Sequence, residues 1–115
     1  MKYTKSLKGS INFKRVLKQG NFVNGENISI YYKKNNIEEN LLGICVSKKH
    51  GNSVTRNKLK RWAREIYYIF EEEIKKSNSI IILYRKDIDV INLNFNILEE
   101  EIRGLLQKSG LLYEK

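Results

Sequence analysis

SKKHGNSVTRNKLKRWARE, running from Ser47 to Glu65, joins a strand-like run to a helix and sets the character of the chain. Up to Arg64 it holds seven Lys and Arg residues and no acid. From Arg56 onward, Leu59, Trp62, Ala63, Ile66, Ile69, Phe70 and Ile74 recur at spacings of three and four. That pattern predicts an amphipathic helix from about Thr55 to Lys76. A start near Thr55 puts Arg56 and Lys58 in the first turn, beside unpaired N–H groups and the positive end of the macrodipole. Each cation there is unfavourable by roughly 0.3–1 kcal/mol. A polyanion resting on that end would remove the penalty, because helix N-termini suit phosphate. The stretch reads as a nucleic-acid contact surface.

Upstream, LLGICVSK predicts a strand with Leu42, Ile44 and Val46 on one face and the small residues Gly43, Cys45 and Ser47 on the other. A row of small residues fits either a closely packed helix or a shallow groove in which a chain lies against the sheet. Before it, NISIYYK alternates, with Ile28, Ile30 and Tyr32 on one side and Ser29 and Tyr31 on the other. A short strand around Phe22–Val23 precedes it, and KKNNIEEN is a polar turn. A first helix is expected from Ser10 to Gln19, with Ser10 as its cap and Gly20 as a left-handed stop.

Downstream, SIIILYR is a continuous apolar run between polar flanks, the pattern of a strand buried on both faces. Phe95, Leu98, Ile102, Leu105 and Leu106 describe a last helix that stops near Gly110. The order α-β-β-β-α-β-α makes one α/β (α+β) domain over residues 1–115, a single central sheet with helices packed on it.

Charge is spread unevenly. Net charge is +9, with 15 basic and 3 acidic groups in residues 1–64 and 7 and 10 in residues 65–115. A basic half joined to a mildly acidic one argues for a directed polyanion-binding face. The single Cys45 rules out a disulfide or multi-cysteine zinc site within the chain. No apolar stretch approaches ~20 residues and the first ten residues lack an apolar signal core, so a cytoplasmic protein without a membrane role is expected.

With Leu59 at zero and about 100° per residue, Leu59, Ala63, Ile66 and Phe70 share a buried face. Asn57, Lys60, Arg61, Arg64 and Tyr68 fall between roughly 100° and 200° on one polar stripe, with Lys58 and Glu65 on the far flank. Solvated faces usually mix signs, and this one does not until Glu65.

The same residues carry a family resemblance. A small residue before Lys48–Lys49, a Gly-Asn pair, then Arg-Asn-x-x-Lys-Arg-x-x-Arg-Glu resembles the signature of the bacterial ribonuclease P protein subunit. Leu7, Phe13 and Val16, the tyrosine strand, and the closing strand and helix extend the match along the chain. The resemblance implies a protein that joins a catalytic RNA and assists removal of the 5′ leader from precursor tRNA. It also implies a topology like that of a small ribosomal protein, with a left-handed crossover around the motif helix, against the general preference.

By that resemblance Lys48, Lys49, Arg56, Asn57, Lys58, Lys60, Arg61 and Arg64 contact the RNA subunit. Phe13, Leu17 and Tyr31, with Lys60, Arg64 and Tyr68, hold the leader. Lys58 stands where the family usually has arginine and lacks its planar fork. Leu17 replaces a cleft aromatic, so one stacking platform is missing, and His50 replaces an aliphatic residue and is assigned no role.

No catalytic or metal-binding residue is expected in the protein itself. The acids cluster in two triplets, Glu71–Glu73 and Glu99–Glu101, whose members fan apart by about 100° per residue and read as solvated faces. Magnesium is expected on the RNA, with the catalytic RNA and precursor tRNA as partners and no protein partner required. The competing class is a structural RNA-binding protein of the ribosomal kind, and the motif favours the first.

Overall fold

The computed structural model describes residues 3–114. Five strands form one sheet: β1 (Thr4–Ser6), β2 (Asn21–Asn24), β3 (Ile28–Lys34), β4 (Asn40–Cys45) and β5 (Asn78–Tyr84). The spatial order is β1-β4-β5-β3-β2. β4 and β5 are parallel neighbours, as are β1 and β4, while β3 pairs antiparallel with both β5 and β2. The helices are α1 (Ser10–Gln19), α2 (Ser53–Phe70) and α3 (Phe95–Ser109). Single helical turns at Lys48–His50 and Glu71–Glu73 flank α2.

Period-two alternation fixes which helix covers which face. Ile28, Ile30, Ile80, Ile82 and Tyr84 point to one side, where Leu59, Ala63, Ile66, Tyr67 and Phe70 of α2 and Leu98, Ile102, Leu105 and Leu106 of α3 bury them. Tyr84 donates its hydroxyl proton to the Leu59 carbonyl at 2.6 Å, and the Thr4 and Tyr67 hydroxyls share a 2.9 Å bond. On the other side Ile81 packs with Leu7 and with Val16 of α1. β5 is apolar on both faces because it is central, as its sequence predicts.

Four details differ from the sequence reading. Thr4–Ser6 forms an extra edge strand. α2 starts at Ser53 behind an Asn52 cap, whose Oδ1 accepts from Thr55 N–H at 2.9 Å, and ends at Phe70. Gly9, with no side-chain bond, caps α1 in place of Ser10. Gly20 has φ −80° and is extended; it is glycine because a Cβ would lie 2.6 Å from the Val16 carbonyl and 2.7 Å from that of Tyr32. Gly110 is left-handed as expected, at φ 80°.

The acid triplets are not simply solvated. Glu101 of α3 reaches under the β2–β3 turn and accepts from the Asn27 and Ile28 backbone N–H groups and the Asn27 amide, each at 2.8 Å. Glu71 is 4% exposed and accepts from Tyr3 N–H at 3.3 Å. Glu72 and Glu100 are exposed.

Candidate nucleic-acid interface

Just ahead of α2, the turn Lys48–His50 is fastened at both ends. Ser47 Oγ accepts from Lys49 N–H at 3.2 Å. Ser47 N–H donates to His50 Nδ1 at 3.0 Å, and His50 Nε2 lies 2.6 Å from the Arg85 carbonyl. One ring nitrogen faces a donor and the other an acceptor, the pairing that suits the tautomer carrying its proton on Nε2. Buried His50 therefore ties the turn carrying exposed Lys48 and Lys49 to the end of β5. The sequence reading gave His50 no role; its partners are distant or backbone, and no pattern announces them.

Along α2, Asn57, Lys60, Arg61, Arg64 and Tyr68 are exposed on one side, and Tyr68 keeps 61% of its surface. Arg61 stands 3.9 Å from Glu65, an exposed i,i+4 pair of little energetic weight. Lys58 lies 5.0 Å from the centre of the Trp62 ring, which draws it toward the flank. Trp62 meets Phe95 edge-on at 6.5 Å and belongs to the cover of the sheet.

Because the helix begins at Ser53, Arg56 closes the first turn and Lys58 falls in the second. The macrodipole argument thus survives for Arg56 and drops out for Lys58, since the effect fades beyond the first turn. Arg56 Nε is covered and meets no acceptor among the described residues.

The second set of residues lies on the α1 face. Phe13 sits on Gly43 so closely that a Cβ there would come within 2.4 Å of its ring. Gly43 is thus small for helix packing, and Ser47 serves the turn. Cys45 lies half-buried in a cluster with Phe13, Leu17, Tyr31 and Leu83. Burial pushes the Cys45 thiol pKa up, and the nearby Lys60 ammonium partly opposes it.

Phe22 is the residue that sequence reasoning passed over. It lies directly opposite Tyr31 in the β2–β3 ladder, with ring centroids 5.5 Å apart, and is 56% exposed. Cross-strand register was the available signal, since pairing NFVN against NISIYYK across the short turn puts the two rings on one face.

Among the described residues no three His, Cys, Asp or Glu side chains gather as a metal site. Among the described residues no helix is long and apolar enough to cross a membrane either.

Known proteins share this arrangement. The ribonuclease P family matches residues 1–110. The ribonuclease P protein component of Thermoanaerobacter sp. (strain X514) is 35% identical over 105 residues, covering 91% of this chain and 89% of that one. The component from Caldanaerobacter subterraneus subsp. tengcongensis is 36% identical over 109 residues, 95% and 92% of the two chains. The Staphylococcus aureus RNase P protein superposes with a TM-score of 0.82 at 29% identity, over 96% of this chain and 98% of that one. The Thermotoga maritima protein gives 0.81 at 30%, over 90% and 96%. With the sheet order and the motif helix in place, the chain belongs to the bacterial ribonuclease P protein family, whose members are components of an RNA-processing endoribonuclease.

Proposed function

We propose that this chain binds the catalytic RNA through α2 and the Lys48–Lys49 turn, and holds the single-stranded 5′ leader of precursor tRNA in the α1 groove. It thereby assists endonucleolytic removal of the leader in the cytoplasm. The observation that carries this is the pairing of an exposed stripe of donors on α2 with an aromatic cluster of Phe13, Tyr31 and Phe22 on the α1 face. Cations neutralise backbone phosphates without regard to sequence, and aromatic rings accept any base by stacking. That pairing suits a leader of variable sequence.

The protein contributes position and charge. Arg56, Lys48 and Lys49 hold the RNA subunit, with Asn57 offering both donor and acceptor to a base edge or phosphate. Lys60, Arg64 and Tyr68 face the leader as it enters the groove. Leu17 gives apolar cover where it cannot stack, and Phe22 supplies an aromatic surface on the opposite wall. We assign cleavage, and the magnesium it uses, to the RNA.

Reversal of two stripe charges tests the reading. Arg61→Glu with Arg64→Glu should weaken assembly with the RNA subunit at least tenfold while leaving the thermal midpoint nearly unchanged, since both side chains are exposed. The salt dependence of wild-type binding should have a log–log slope near −5, from about seven neutralised phosphates at ~0.7 each. Undiminished assembly by the double variant would contradict the placement of the interface.

A further inference from the structure

A second basic pole stands at the opposite end of the sheet from Lys48–Lys49. Two cavities, of about 480 and 510 Å³, open there and share Lys34 in their walls. Arg15, Lys33 and Lys34 line the first, and Lys34, Lys75 and Lys76 line the second; no Asp or Glu lines either. Among the described residues none of these five cations is held in an ion pair, and Lys76 lies 4.7 Å from the centre of the Tyr3 ring.

The cluster is held in place by the backbone. Lys34 pairs with Asn78 at one end of the β3–β5 ladder, and Ile28 with Tyr84 at the other. Asn35 N–H donates to the Ser77 carbonyl at 2.9 Å, which binds the turn after Lys33–Lys34 to the turn after Lys75–Lys76. The Asn78 amide donates to both the Lys75 and Lys76 carbonyls, at 3.1 and 3.2 Å. Ser77 sits at φ 67°, the only positive φ at a non-glycine position among the described residues. A left-handed serine is unfavourable, and here it closes a turn that sets like charges side by side. Cations gathered without acids around cavities create a positive field that suits an anion.

The cavities also carry apolar and amide surface: Leu7, Val16 and Leu41 in the first, Tyr32 and Tyr113 in the second, with asparagines in both. Phosphate on the rim and a ring against the floor describe a nucleotide of an RNA chain better than a free inorganic anion. We infer that this pole is a second RNA contact, taking the phosphodiester backbone and a base of single-stranded RNA. β5 is seven residues long, so it lies about 20 Å from the first contact at ~3.3 Å per residue. The inference rests on the chain being the RNA-binding subunit proposed above. The RNA can come from the leader beyond the groove or from a single-stranded part of the RNA subunit.

The experiment uses the reconstituted complex with Lys33→Ala/Lys34→Ala, Lys75→Ala/Lys76→Ala, and the charge-matched control Arg103→Ala/Lys108→Ala on α3. Each is assayed for affinity to the RNA subunit, and for affinity of the assembled enzyme to precursor tRNAs with a four-nucleotide or a twelve-nucleotide leader. Each pole variant should lose three- to tenfold in one arm relative to the control. Loss in RNA-subunit affinity identifies that RNA as the occupant; loss confined to the long leader identifies the leader. Losses no larger than the control's in every arm would overturn the inference. That outcome stays distinct from failure of the functional reading, which would show in the Arg61→Glu/Arg64→Glu variant.

Discussion

Beneath α2 and α3 the sheet joins a cluster of eighteen buried hydrophobic residues, whereas the buried hydrophobic cluster beneath α1, among the described residues, is Leu7, Val16 and Ile81. On the α1 side Phe13, Leu17, Tyr31 and Leu83 remain half-exposed around a helix of ten residues. A short helix cannot cover five strands, so one face is closed by two helices and the other keeps apolar and aromatic surface partly exposed. α2 serves both, with Leu59, Ala63 and Ile66 in the large core and Lys60 and Arg64 turned outward.

The largest expected effect falls on the closed face. Ile82→Ala should lower unfolding free energy by about 2–5 kcal/mol in denaturant titration, because the residue is 1% exposed and the site is walled by helices. Affinity for RNA should be unchanged wherever the variant is folded. A comparable loss of RNA affinity in folded protein would break the division between the faces.

The acids sharpen it. Glu101→Ala leaves three N–H donors at the β2–β3 turn without their acceptor and should destabilise by roughly 1–3 kcal/mol. Glu72→Ala and Glu100→Ala should be within about 0.5 kcal/mol of wild type. In the reconstituted enzyme at saturating precursor, every single acid-to-alanine variant that folds and binds RNA should cleave at the wild-type rate. One carboxylate whose loss abolishes the chemical step would place catalysis in the protein.

Smaller effects belong to the open face. Phe22→Ala should weaken precursor binding by about 1 kcal/mol, at the low end of base stacking, because it leaves the core untouched. Leu17→Phe should strengthen it by a few-fold, restoring an aromatic beside Phe13. Direct titration of labelled precursor measures both, and a Phe22→Ala variant with wild-type affinity would remove that ring from the groove.

Legibility followed length and sequence proximity. β3, β4, β5 and α3 were readable because each repeats its period several times. β1 was not, since three residues cannot show alternation. The C-terminal end of α2 was read too far because Ile74 keeps helical spacing from Phe70, although it is buried through a bridge to Leu112. The α2 stripe was legible because its residues are consecutive on one helix. Phe22, His50 and Glu101 were missed because each acts through a cross-strand or long-range partner. The second basic pole combines residues from three separate segments, and no local pattern joins Arg15 to Lys75.

If the open face recognises the leader, Tyr31→Ala should separate the two forms of tRNA. Affinity of the reconstituted enzyme should be measured for precursor tRNA and for mature tRNA, which lacks the leader. Loss of one half-buried stacking ring should weaken precursor binding by about 1–2 kcal/mol, some five- to thirtyfold, and leave mature tRNA within twofold. Equal losses for the two RNAs would make Tyr31 a packing residue and contradict the account.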